Sequence, residues 1–142
     1  MKDIVSQYIE KNQFGYFLGM DFHIISPGQV EYSLIIKDKH LATPLNVHGG
    51  CISALADACM GVGALTLVAE RAQVVTTLEF KVSFLQPVYN GDKLVALSRV
   101  KKSGATILFM EAEITNKEGE LVAHATGTFK AYDARKAGYF VE

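Results

Sequence analysis

Between Gly49 and Ala69 the chain carries a single charged residue, Asp57. On a helix its neighbours at offsets of three, four and seven positions include Gly50, Ser53, Ala54, Gly61 and Ala64, so the carboxylate stands alone on a face of small residues. Such a group can act as a general base on water, attack a carbonyl directly, or serve as a buried hydrogen-bond acceptor to a strand. Just upstream, His48-Gly49-Gly50 opens the same stretch. The first-turn N–H groups of a helix lack intrahelical partners and lie at the positive end of its dipole, and glycine lets a ligand approach closely. Gly49 and Gly50 therefore suit a developing oxyanion; a tight turn with a helix cap is the plainer alternative. Eight residues separate Gly49 from Asp57, or ~12 Å along a helix axis. One substrate atom does not span that distance.

His48 precedes the helix and suits ligand binding or a loop and cap role, and Asn46 offers an amide donor or a cap. Cys51 lies in the first turn, three residues from His48, but a Cys/His nucleophile needs a third orienting group and none is evident, so a small core residue is expected. Ser53 lacks the flanking glycines of a nucleophile elbow. His23, His40, His48 and His124 show no metal-ligand spacing with one another or with the cysteines, and no metal site is expected.

These residues need elements to hold them. A chain of 142 residues is read as one domain, 1–142, able to bury a sizeable core without staples. Its 14 basic residues are scattered and nearly balanced by 15 acidic ones, which argues against nucleic acid as a partner. Cys51 and Cys59 are too far apart on one helix for a disulfide, so reduced thiols and a cytoplasmic setting are expected. The amino terminus has an early acidic residue and no apolar run, unlike a secretory signal. Gly49 to Ala69 has the length and apolarity of a membrane span, but a central Asp57, four glycines and a sheet-forming remainder favour a buried core helix and no membrane.

Spacing predicts an N-terminal helix within residues 1–13, strands at 17–25 and 30–37, a loop to Leu45, and the central helix over 48–69. Four more strands are predicted at 74–85, 93–102, 106–115 and 120–132, joined by turns at Asn90-Gly91-Asp92, Ser103-Gly104 and Asn116-Lys117-Glu118-Gly119. Runs of strands with one apolar helix define an α+β class: an antiparallel five- to six-stranded sheet wrapped around a long central helix. In 74–85, strict alternation places Val74, Thr76, Leu78, Phe80, Val82 and Phe84 towards the helix.

His48-Gly49-Gly50 followed by Leu55-Ala56-Asp57, with nine residues from histidine to aspartate, resembles the signature of hotdog-fold acyl-CoA thioesterases of the PaaI type. Thr77 to Val88 resembles that family's third strand and His124 to Phe129 its last. The resemblance spans roughly Phe17 to Tyr132 and implies hydrolysis of an acyl- or aryl-CoA thioester to the free acid and CoA. It implies Asp57 as base or nucleophile, Gly49 N–H on the thioester oxygen, and His48, Gly50 and Asn46 in substrate binding. CoA is part of the substrate, and no further cofactor is implied. Thr77, ten residues before Pro87, occupies the position where the family places a Ser or Thr that orients water or the carboxylate, although alternation favours Thr76. The family often has Asn six residues and Gly three residues before the histidine; Ala42 and Leu45 stand there, and Asn46 is the candidate substitute. A homodimer with sites shared between subunits, paired again into a dimer of dimers, is also implied. An unbroken apolar edge at 74–85 would otherwise be an aggregation hazard. Two other readings remain: a hotdog enoyl-CoA hydratase or dehydratase using a His/Asp pair, and a non-catalytic acyl-CoA sensor. Phe17, Met20, Phe22, Met60 and Phe84 are candidates to line an acyl slot.

Overall fold

The structure is a computed structural model that describes residues 3–142; positions 1 and 2 of the expected N-terminal helix lie outside the described residues. Helix α1 (Ile4–Lys11) begins at Asp3, whose Oδ1 accepts the Ser6 N–H at 2.8 Å. Asn12 ends α1 and caps a second helix, α2 (Gln13–Leu18), by accepting the Gly15 N–H at 3.2 Å. Gly19 closes α2 in the left-handed region, φ 83°. The sequence reading began a strand at Phe17 and missed α2. A side-chain cap at Asn12 and a left-handed stop at Gly19 hold residues 13–18 helical even though Phe14, Tyr16 and Phe17 remain exposed.

Strands β1 (Asp21–Ser26) and β2 (Gln29–Ile35) form a hairpin through Gly28, φ 82°. A short 3-10 turn, Asp38–His40, leads towards the central helix α3 (Gly49–Val68). Then follow β3 (Gln73–Phe84), β4 (Lys93–Ser103), β5 (Ile107–Thr115) and β6 (Leu121–Asp133). All six strands join one antiparallel sheet in the order β1-β2-β4-β5-β6-β3. β3 is therefore an edge strand, paired only with β6.

The sheet curls around α3, which packs against β2 to β6. Ile52, Leu55, Cys59, Met60 and Val62 supply the helix side of the core; Tyr32, Leu34, Leu94, Met110 and Phe129 answer from the strands. Among the described residues α3 with its short extension to Arg71 is the one segment long and apolar enough to cross a membrane, and 61% of its apolar window is buried inside the protein. Its apolarity is accounted for by the sheet around it. Helix and sheet come close at Gly63: a Cβ there would lie 2.6 Å from Ser98 Oγ and 3.2 Å from the Gly28 carbonyl oxygen. Ser98 cannot easily yield, because its buried hydroxyl donates to that carbonyl and accepts the Val30 N–H, both at 3.0 Å. Gly63→Val should therefore cost about 2 kcal/mol by overpacking. The expected readout is a lower urea midpoint with an unchanged slope.

Candidate active site

Asp57 projects from the middle of α3 and is half-buried. Its Oδ1 accepts a hydrogen bond from Thr77 Oγ1 on β3 at 2.8 Å. Thr76, the residue favoured by strict alternation, is exposed instead. A bulge is the reason: Thr77 pairs with Phe129 and Glu79 with Thr128, leaving Leu78 as the extra residue. One inserted residue reverses which side chains face inward. Before the bulge Thr77 meets the helix; beyond it, Phe80 lies beside Gly127 and Phe84 reaches α3. The expected inward face is thus correct for the second half of β3 and inverted at Thr77.

The mouth of α3 is built separately. His48 is its N-cap, with Nδ1 accepting the Gly50 N–H at 2.8 Å, which places the ring proton of the neutral imidazole on Nε2. The cap explains Gly50 as well, since a Cβ there would lie 2.8 Å from that ring nitrogen. The Gly50 donor is thereby occupied. Gly49 N–H, one residue earlier, has no hydrogen-bond partner among the described residues. The Phe84 ring lies 3.4 Å from where a Gly49 Cβ would sit, so an apolar plate flanks this open donor. Asn46 lies apart from Asp57, in the preceding loop: its Oδ1 meets Thr43 Oγ1 at 3.2 Å and its carbonyl accepts the Ala42 N–H at 2.9 Å. The capping alternative for Asn46 is filled by His48.

Sequence reasoning missed His40, considered only as a metal ligand. It is buried, accepts the Lys37 N–H on Nδ1 at 2.9 Å, and donates from Nε2 to the Leu18 carbonyl at 2.7 Å. Its own carbonyl accepts the His48 N–H at 2.7 Å. His40 thus ties α2, the 3-10 turn and the helix mouth together. No sequence spacing links residues 18, 37, 40 and 48.

Asp57 and Thr77 open onto a cleft of about 300 Å³. Ala58, Gly61 and Leu65 line it from α3, Val74 and Val75 from β3, Phe129 and Tyr132 from β6. Tyr8 of α1 and Tyr139 of the C-terminal segment complete the wall. Burial raises the Tyr8 phenol above its usual range, with nearby Tyr139 and Asp57 adding to the effect, so Tyr8 stays a neutral donor. Burial likewise pushes the Cys51 thiol up and that of Cys59 to about 12, which removes both as thiolate nucleophiles. Among the described residues no group of three or more His, Cys, Asp or Glu is placed to hold a metal.

An antiparallel sheet rolled around one long helix defines the hotdog fold, and here a carboxylate stands at mid-helix and a free glycine N–H at the helix mouth. Residues 46–123 match the thioesterase superfamily profile, and the chain belongs to that family of thioester hydrolases. Human acyl-coenzyme A thioesterase 13 is 23% identical over 131 residues, covering 90% of this chain and 91% of its own. The Escherichia coli PaaI protein from the phenylacetic acid degradation operon superposes with a TM-score of 0.83 at 21% identity, covering 90% of both chains. A Streptococcus mutans protein solved bound to acetyl-CoA superposes with a TM-score of 0.75 at 26% identity, covering 82% of this chain and 91% of its own.

Removing the N-cap leaves Gly50 N–H unsatisfied. His48→Ala should lose about 1 kcal/mol of stability, and His48→Asn, a preferred cap, should recover most of it. Equilibrium urea unfolding of the two variants checks the order.

Proposed function

We propose that the protein hydrolyses acyl-CoA thioesters at a site completed by two copies of the chain. The observation that carries this reading is the Thr77–Asp57 hydrogen bond, which aims a carboxylate into a cleft while an open Gly49 N–H waits two helical turns away. Bound acetyl-CoA in the Streptococcus mutans relative and the name of the human one support a CoA thioester as substrate.

In this mechanism the Gly49 N–H donates to the thioester oxygen, aided by the positive end of α3. Thr77 engages Asp57 Oδ1 and leaves Oδ2 for chemistry. Acting as base, Asp57 takes a proton from water as the hydroxide oxygen bonds to the carbonyl carbon; the C–S bond then breaks, its electron pair goes to sulfur, and the proton passes to the departing thiolate. Acting as nucleophile, Asp57 bonds to that carbon while the C–S bond breaks and its electron pair goes to sulfur; water then opens the anhydride to the free acid and the Asp57 carboxylate, and a water proton goes to the thiolate. Label found in the protein after single turnover in ¹⁸O-labelled water identifies the anhydride route opened at the aspartyl carbon. His48 and Asn46 border the entry, and Gly50 gives the His48 ring room to cap.

Gly49 and Asp57 of one chain are ~12 Å apart along α3, so each thioester is served by Gly49 of one copy and Asp57 of the other. The free edge of β3 supports the dimer: Leu78, Phe80, Phe84 and Leu85 are exposed there, and a second β3 across a two-fold axis would cover them. Two such dimers pair into a dimer of dimers. The free, buried Cys51 and Cys59 suit a reducing cytoplasm. A hydratase would need an imidazole beside the carboxylate, whereas the His48 Nδ1 is spent on the helix cap.

CoA release from phenylacetyl-, hydroxybenzoyl-, short- and long-chain acyl-CoAs should fall about 10²- to 10⁴-fold in Asp57→Asn. Full activity in that variant would sink the mechanism, and no turnover of any thioester by wild type would favour a sensor. Gly49 is the first helical residue and His48 is extended (φ −73°, ψ 133°), so Gly49→Pro should delete the donor while keeping the helix. Alone it should lose about 10²- to 10³-fold. Unfolding and randomly remixing it with Asp57→Asn should restore about one quarter of wild-type turnover, since half the dimers would carry one intact shared site. A site contained in one subunit predicts no recovery.

A further inference from the structure

Tyr8 forms part of the wall of the cleft beside Asp57. One side of this residue lines the cleft; the other packs against the main core, where its ring centre is 6.3 Å from that of Phe22, itself stacked on Tyr32 at 4.9 Å. Behind this wall lies Tyr32, fully buried, with its hydroxyl towards that of Tyr8. The wall itself is anchored. Next to Tyr8 on α1, the Gln7 amide donates to the Phe140 carbonyl and accepts the Phe140 N–H, both at 2.9 Å, which pins the helix to the C-terminal segment that carries Tyr139. The open cleft's volume of about 300 Å³ is twice the roughly 150 Å³ that holds a benzene in an engineered cavity.

We propose that Tyr8 is the specificity-determining end wall of the acyl slot, and that it limits the length of the acyl group accepted beside Asp57. The inference rests on the acyl-CoA hydrolase reading and adds to it a residue from outside the helix and the strand that carry the chemistry. Truncating Tyr8 would enlarge the cleft towards the Phe22 ring that Tyr8 now packs against, so longer chains would gain room and apolar contacts.

The test is kcat/KM across straight-chain acyl-CoAs from acetyl to palmitoyl, for wild type, Tyr8→Ala, Tyr8→Leu and Tyr8→Phe, with Tyr16→Ala as a surface control. In Tyr8→Ala the optimum should move to longer chains, with the long-to-short ratio rising about 10-fold or more, mainly through KM. Tyr8→Leu should shift it less, and Tyr8→Phe, which keeps the ring, should retain the wild-type optimum. Tyr16, 85% exposed on α2, should not matter. If Tyr8→Ala fails to fold, as judged by circular dichroism, Tyr8→Leu carries the comparison. An unchanged chain-length profile in a folded, active truncation overturns the end-wall role and leaves the hydrolase reading intact. Wild type that neither turns over nor binds any acyl-CoA overturns both.

Discussion

A carboxylate on an apolar core helix must be stabilised by its surroundings, and here that falls to one hydroxyl, the Thr77 Oγ1 that donates to Asp57. The contact depends on the bulge at Leu78, because without the extra residue Thr77 and Phe84 could not both face the helix. β3 thus delivers a polar group at one end and an apolar ring at the other. The ring flanks Gly49 and the hydroxyl holds Asp57, so one strand touches both the mouth and the middle of α3.

The helix mouth is stabilised by different means. His48 caps α3 with its side chain and is itself held by the His40 carbonyl, while His40 uses both ring nitrogens on the backbone of two other segments. This chain of contacts leaves the Gly49 N–H open and takes up the donor next to it. A single oriented donor at the positive helix end is what an oxyanion requires. The rigid helix then fixes its spacing from Asp57, ~12 Å along the axis.

Much of this was legible in the sequence because it rests on local periodicity. Six strands and a long apolar helix follow from alternation and turn residues, and the lone charge at Asp57 marks the helix face that matters. The errors fall where local pattern loses to context. Phe14, Tyr16 and Phe17 mimic the start of a strand, but capping by Asn12 and the stop at Gly19 decide for a helix. Thr76 fits an alternation that the bulge interrupts. The expectation that Gly49 and Gly50 both present donors overlooked a histidine side chain able to take one of them. The contacts of Tyr8 and His40 are not legible in the sequence, because Phe22 beside Tyr8, and Leu18 and His48 beside His40, lie on other segments.

Gly61 shows how the core and the cleft compete for the same helix. Glycine at a helix interior costs about 1 kcal/mol against alanine. At Gly63 close packing accounts for it, since any Cβ would meet Ser98 and the Gly28 carbonyl. At Gly61 packing does not: a Cβ would find only the Phe129 ring at 3.6 Å, an ordinary contact. What a side chain would occupy there is the cleft that Gly61 lines with Asp57 one turn before it. The missing methyl group is therefore better explained by the space beside the carboxylate than by the fold. A helix built for stability alone would fill that space, and in filling it would close the cleft on which Asp57 opens.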